Sequence, residues 1–288
     1  MVEPQQHFFE SQRLRLSYWD WGYPERPPLV LVHGGRDHAR SWDRVAEAFA
    51  ADYHVVAPDL RGHGDSAWAV GSQYGIPDNV LDLVRLLEIV GGPAAVVAHS
   101  YGGQIALAAT ATYPELVSTI VAIEGTSSLQ PRDHMAGMGP GWLRMWGERV
   151  RAFEQPSLRV YATVEEAAQR MLEANPRLPA DFLPQLARYA VRPVEGGYVW
   201  KFDGWVHGRT SMEIRKQEFP RFWSAIDCPV LLIYGTESQQ RAIQGPDDAR
   251  HFKRARAIEV PEAGHWVHHD QLPLLLREVR AFLASPAS

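Results

Sequence analysis

The chain has 288 residues, 45% of them hydrophobic and 22% charged, with a net charge of −5 and one cysteine. That length is ample for a buried core, and the acidic balance offers no field to gather nucleic acid or an anionic membrane surface. One cysteine excludes an intrachain disulfide framework and any thiolate cluster for a metal. Cys228 itself stands before an apolar run and reads as a small buried hydrophobe. The first ten residues lack the apolar centre of a signal peptide, and the longest apolar runs are of strand length, so a cytoplasmic protein is expected.

In chain order, residues 7–11 and 14–21 read as an antiparallel hairpin at a sheet edge. Residues 29–33 follow as a continuous apolar run, the mark of a strand buried on both faces. It ends in His33-Gly34-Gly35, where glycine would let backbone approach a ligand without a Cβ in the way. Residues 53–58 are the next strand, followed by Pro58-Asp59-Leu60-Arg61-Gly62-His63-Gly64-Asp65-Ser66. Val80, Leu83, Val84 and Leu87 lie at helical spacing in a helix over 78–90, which Gly91-Gly92 ends.

Strand 94–98 runs into His99-Ser100-Tyr101-Gly102-Gly103 and then an alanine-rich helix, 101–113. A serine at a tight strand-to-helix turn projects its Oγ beyond the sheet, and small residues two before and two after let the turn close. Gly102 meets that need and Ala98 replaces the usual first glycine. Residues 118–124 form another strand, ending in Val121-Ala122-Ile123-Glu124-Gly125. The alternation then stops for about a hundred residues. Segment 125–225 reads as an insertion with helices at 141–154, 164–175, 180–191 and 211–224 and a hairpin at 194–203. Strands 229–234 and 256–261 and a helix at 273–283 complete the chain. The core is therefore expected in 1–124 and 226–288, an α/β architecture with a mostly parallel, doubly wound sheet.

A base able to take a proton from Ser100 at neutral pH favours histidine. His265 follows a strand on the short loop Glu262-Ala263-Gly264, on the edge where such sheets bind ligands. His99 should point inward and orient the serine turn, while His268 and His269 should face solvent or cap the last helix. The backbone N–H groups of Gly35 and Tyr101 are the candidate oxyanion hole. The chain is rich in tryptophan, and Trp142, Trp146 and Trp266 are the rings expected against a substrate.

Val32-His33-Gly34-Gly35, the Pro58–Ser66 stretch, Ala98-His99-Ser100-Tyr101-Gly102-Gly103 and Ala263-Gly264-His265-Trp266, in that order, resemble the α/β-hydrolase superfamily. The resemblance implies Ser100 as nucleophile, His265 as base, 125–225 as a helical cap, and a structural role for the loop 59–66. Many members carry an acid three residues after the glycine that ends the penultimate strand. Here Gly235 is followed at that position by Ser238, which cannot stabilise an imidazolium. Certain dehalogenases and the zearalenone lactonases instead carry the acid after the strand that follows the serine turn, where this chain has Glu124. A glutamate ending an apolar strand would be costly without a partner. Glu124 is thus the first candidate acid and Glu237 its rival.

The resulting expectation is a cofactor-free, metal-free serine hydrolase acting on a small-molecule ester or lactone, with an apolar or aromatic substrate favoured. C–C, amide or carbamate hydrolysis, a cofactor-free lyase, and a ligand receptor that keeps the triad are the alternatives. No segment specifies an oligomer.

Overall fold

Period-two alternation within the apolar runs sorts their side chains onto two faces of one sheet. In a computed structural model, which describes residues 3–71, 73–126, 139–152, 158–207, 214 and 216–285, Val30, Val32, Val96, Ala98, Ile120 and Ala122 enter one hydrophobic core. Their neighbours Leu29, Leu31, Ala95, Val97, Val121 and Ile123 enter the other. Burial on both faces is what parallel strands under crossover helices require.

The strands are β1 (Gln5–Ser11), β2 (Leu14–Asp20), β3 (Pro28–Val32), β4 (His54–Pro58), β5 (Ala94–His99), β6 (Val117–Ile123), β9 (Val230–Gly235) and β10 (Ala255–Val260). They form an eight-stranded sheet in the order β1-β2-β4-β3-β5-β6-β9-β10. Only the β1–β2 and β2–β4 pairs are antiparallel. β7 (Val191–Val194) and β8 (Gly197–Trp200) make a separate hairpin.

Helices α2 (Ile76–Val90) and α3 (Tyr101–Thr112) cover the first face, α1 (Asp43–Phe49) and α9 (Leu272–Ala284) the second. Alanines along α3 bring it close to the sheet, with Ala106, Ala108 and Ala109 all buried. α1 and α8 (Val267–Asp270) are absent from the sequence expectation. They span seven and four residues, too few for helical periodicity to stand out.

Between β6 and β9 lie α4 (Pro140–Ala152), α5 (Val164–Ala174), α6 (Leu183–Ala190), the β7–β8 hairpin and α7 (Phe219–Ala225). Thr163 caps α5 by accepting a hydrogen bond from the Glu166 N–H at 3.2 Å. The hairpin sits about three residues earlier than the expected 194–203, because its turn falls at Glu195 and Gly196, the glycine at positive φ. Of the expected helix 211–224, residues 211–213 and 215 lie outside the described residues. Its end is α7, with Pro220 in the first turn, where a missing N–H costs nothing. Phe219 and Trp223 pack into the α2–α3 core. The end of the expected insertion 125–225 thus packs against the first face of the sheet and its helices. Among the described residues, no helix is long and apolar enough to cross a membrane.

Candidate active site

Ser100 stands between the end of β5 and the start of α3 at φ 52° and ψ −119°, a strained conformation that thrusts its side chain outward. The turn closes only because its neighbours are bare. A Cβ on Gly102 would come within 2.3 Å of the His33 carbonyl oxygen, and one on Gly103 within 2.7 Å of the Gly125 Cα. Gly34 presses on the same turn, where a Cβ would lie 3.2 Å from the Ser100 Cβ.

Ser100 Oγ is 2.9 Å from His265 Nε2, and His265 Nδ1 is 3.3 Å from Glu124 Oε2. Glu124 follows the last residue of β6 at φ 52° and is 2% exposed. Its Oε1 accepts from the Gly235 N–H at 2.7 Å, and its Oε2 from Ser238 Oγ at 2.6 Å and Gln244 Nε2 at 2.9 Å. A carboxylate that accepts this many hydrogen bonds can be buried without prohibitive cost. That Ser238 and Gln244 donate to Glu124 escapes the sequence reading, since it depends only on the fold. Glu237 is exposed and pairs with Arg177, away from the imidazole.

His99 points inward as expected and donates Nε2–H to the His265 carbonyl at 2.8 Å, which ties the two loops. The expectation for His268 and His269 is wrong. α8 turns back directly after His265 and drives both inside, His268 stacked on Trp42 at 4.6 Å and His269 against Phe182. Burial holds His99 and His268 well below the usual imidazole range and His269 down at about 3. Asp37 lies two residues past Gly35, and burial pushes its carboxyl up to about 7. Asp37, His99 and His268 are the described residues whose ligand atoms could converge on a metal ion.

The loop 59–66 braces the site from below. Asp59 accepts from the Ala39 and Asp65 N–H groups at 2.8 and 3.0 Å, and its burial raises its carboxyl to about 6. Arg61 is fully buried against Asp82 at 2.6 Å. Cys228 is half-buried, with its thiol pushed up to about 11 by burial, so it offers no ready thiolate.

A cavity of about 780 Å³ opens above Ser100. Gly34, Gly35, Tyr101, His265 and Trp266 line it from the sheet, and Met171, Leu178, Leu186, Trp200, Phe202 and Val206 from the inserted segment. Gly35 and Tyr101 are adjacent there, with a Gly35 Cβ only 4.0 Å from that of Tyr101. Trp266 thus lies where expected. Trp142 and Trp146 do not line the cavity: they stack on one another on α4, at 6.3 Å and 9°. From the inserted segment it is Trp200 and Phe202, stacked at 6.1 Å, that face it. Their i, i+2 spacing at a strand end, which puts two side chains on one face, is the signal that could have found them. Tyr74 hydrogen-bonds Asp203, and the Asp203 N–H donates to the Gly62 carbonyl at 2.8 Å, which fastens this segment to the core.

Comparison with known proteins gives the same architecture. The alpha/beta hydrolase family model matches residues 29–275. The chain is 29% identical to the esterase Rv0045c of Mycobacterium tuberculosis, over 93% of its own length and 86% of that protein. It is 27% identical to the esterase YbfF of Escherichia coli, over 89% and 92% of the two chains. A solved thioesterase domain from the curacin biosynthetic pathway superposes with a TM-score of 0.85, at 23% identity and with 97% and 99% of the chains covered. The chain belongs to the alpha/beta hydrolase family. Its relatives make it a hydrolase and, at family level, an ester hydrolase.

Proposed function

We propose that the protein is a serine hydrolase that cleaves a carboxylic ester or lactone through an acyl-enzyme. The observation that carries this reading is the unbroken line from Ser100 Oγ through His265 to Glu124, at 2.9 and 3.3 Å. Ser100 Oγ attacks the carbonyl carbon while its proton passes to His265 Nε2. The Glu124 carboxylate orients the ring through Nδ1–H and stabilises the imidazolium. The Gly35 and Tyr101 N–H groups hold the oxyanion. On collapse, the alcohol leaves with the proton from His265, and water then releases the acid by the same steps in reverse. None of these steps uses a metal or organic cofactor.

The inserted segment acts as a cap in this reading. Its apolar and aromatic contribution to the cavity supports an apolar or aromatic substrate. Trp200→Ala should therefore change the ratio of rates on short and long acyl chains by ~10-fold, whereas Trp142→Ala should leave it unaltered.

The nucleophile is tested with Ser100→Ala assayed against p-nitrophenyl esters, lactones, thioesters and amides. Ester turnover should drop by more than ~10³ while the fold is kept, since Ala removes only Oγ. A fluorophosphonate should add once, on the Ser100 peptide. Full activity in the variant, or an adduct elsewhere, would sink the assignment.

A further inference from the structure

Gly35, Ser100 and His265 lie on three segments at the carboxyl ends of the strands. Each carries a second group close by, Asp37, His99 or His268, that the proposed hydrolysis does not use. One ligand atom from each of these three lies within 4.8 Å of the other two. His99 and His268 are both 2% exposed. His99 commits Nε2–H to the His265 carbonyl, and its Nδ1 has no hydrogen-bond partner within the described protein. His268 has none on either nitrogen, and Asp37 has none on Oδ2, although its Oδ1 accepts from the His38 N–H at 2.8 Å. A native interior rarely leaves a buried imidazole unsatisfied on both sides.

We propose that Asp37, His99 and His268 form a site for one divalent transition-metal ion of the Zn²⁺, Co²⁺ or Ni²⁺ class, tying these three segments together. Two imidazole nitrogens and one carboxylate oxygen suit such ions, whereas Ca²⁺ and Mg²⁺ take oxygen ligands. Three protein ligands leave the fourth position of a tetrahedral ion to water. The surroundings match what ligating histidines need. The Nε2–H of His99 on a backbone carbonyl fixes the tautomer with a lone pair on Nδ1, and Trp42 holds the plane of the His268 ring at an interplanar angle of 27°. The sequence gives no hint of this set, because its members come from three separated segments. The ion takes no part in the proposed hydrolysis, so the site stands or falls apart from that reading.

The test uses the full, tag-free chain, stripped with a chelator and titrated with Co²⁺. One equivalent should bind with ligand-field absorption in the visible, and Zn²⁺ should displace it. The thermal midpoint should climb with ion concentration, as for any ligand that binds the native state alone. Asp37→Asn and His268→Gln should each weaken binding by at least ~10-fold. If His268→Gln does not fold, Asp37→Asn decides the matter, since that residue is only half-buried. No stoichiometric cobalt binding by the unaltered chain would overturn the inference and leave a bridging water as the occupant. Binding that survives Asp37→Asn but is lost in His265→Ala would also overturn it, by putting the ion on the Ser100–His265 pair.

Discussion

The loops that follow β6 and β9 meet at the same edge of the sheet, and each carries a glutamate. The two have opposite surroundings. Glu124 is buried and accepts from Gly235, Ser238 and Gln244 besides facing His265. Glu237 is exposed and shares a surface ion pair with Arg177. Ser238 stands where many family members carry an acid, yet here it donates its proton to the carboxylate of the neighbouring strand. The two loops have exchanged parts around one point in space: the β6 loop brings the charge and the β9 loop brings the donors. A position in a motif says less about an acid than the hydrogen bonds it can gather where it ends up.

Three substitutions break or sharpen this contrast. The largest effect belongs to Glu124→Gln, which keeps the volume but removes the charge that, in the proposed mechanism, stabilises the imidazolium. Turnover should fall by at least ~10² with little change in KM. Steady-state kinetics on one ester checks it, and a near-normal kcat would mean that the acid lies elsewhere. A second variant moves the charge back across the gap. Ser238 Oγ is 2.6 Å from Glu124 Oε2, so Glu124→Gln combined with Ser238→Asp should recover ~10-fold of the lost rate. No gain over the single variant would show that the β9 loop has lost the geometry to present an acid. The smallest effect is that of Glu237→Gln. An exposed ion pair is worth about 0–1 kcal/mol, so both rate and melting temperature should stay close to those of the parent, the rate within ~5-fold. A crippled Glu237→Gln beside an active Glu124→Gln would reverse the assignment of the two loops.

Much of this site was legible in the sequence wherever chemistry demands a residue type at a fixed chain position. Gly102 and Gly103 are required by close backbone approach and Gly34 by the side chains of His99 and Ser100, and Glu124 stands out as a charge closing an apolar strand. What depends on tertiary direction was not legible. His268 and His269 look like surface histidines until α8 folds back under them. Trp142 and Trp146 lie on a helix that also exposes Leu143 and Met145, and an aromatic count carries no information about which way a helix faces. The Trp200–Phe202 pair was hidden by a hairpin whose turn lies three residues from its expected place. Gln244 gave no signal at all, since an amide becomes a donor to Glu124 only once the chain after β9 has curled back.

The contact between Gly103 and Gly125 bears on how steadily this machinery is held. One lies three positions past the serine and the other directly after the glutamate, and neither has room for a methyl group. The span from hydroxyl to carboxylate is thus gauged by main chain lying directly on main chain. Such a gauge has no rotamers to sample, so the spacing holds even when the side chains around it exchange conformations.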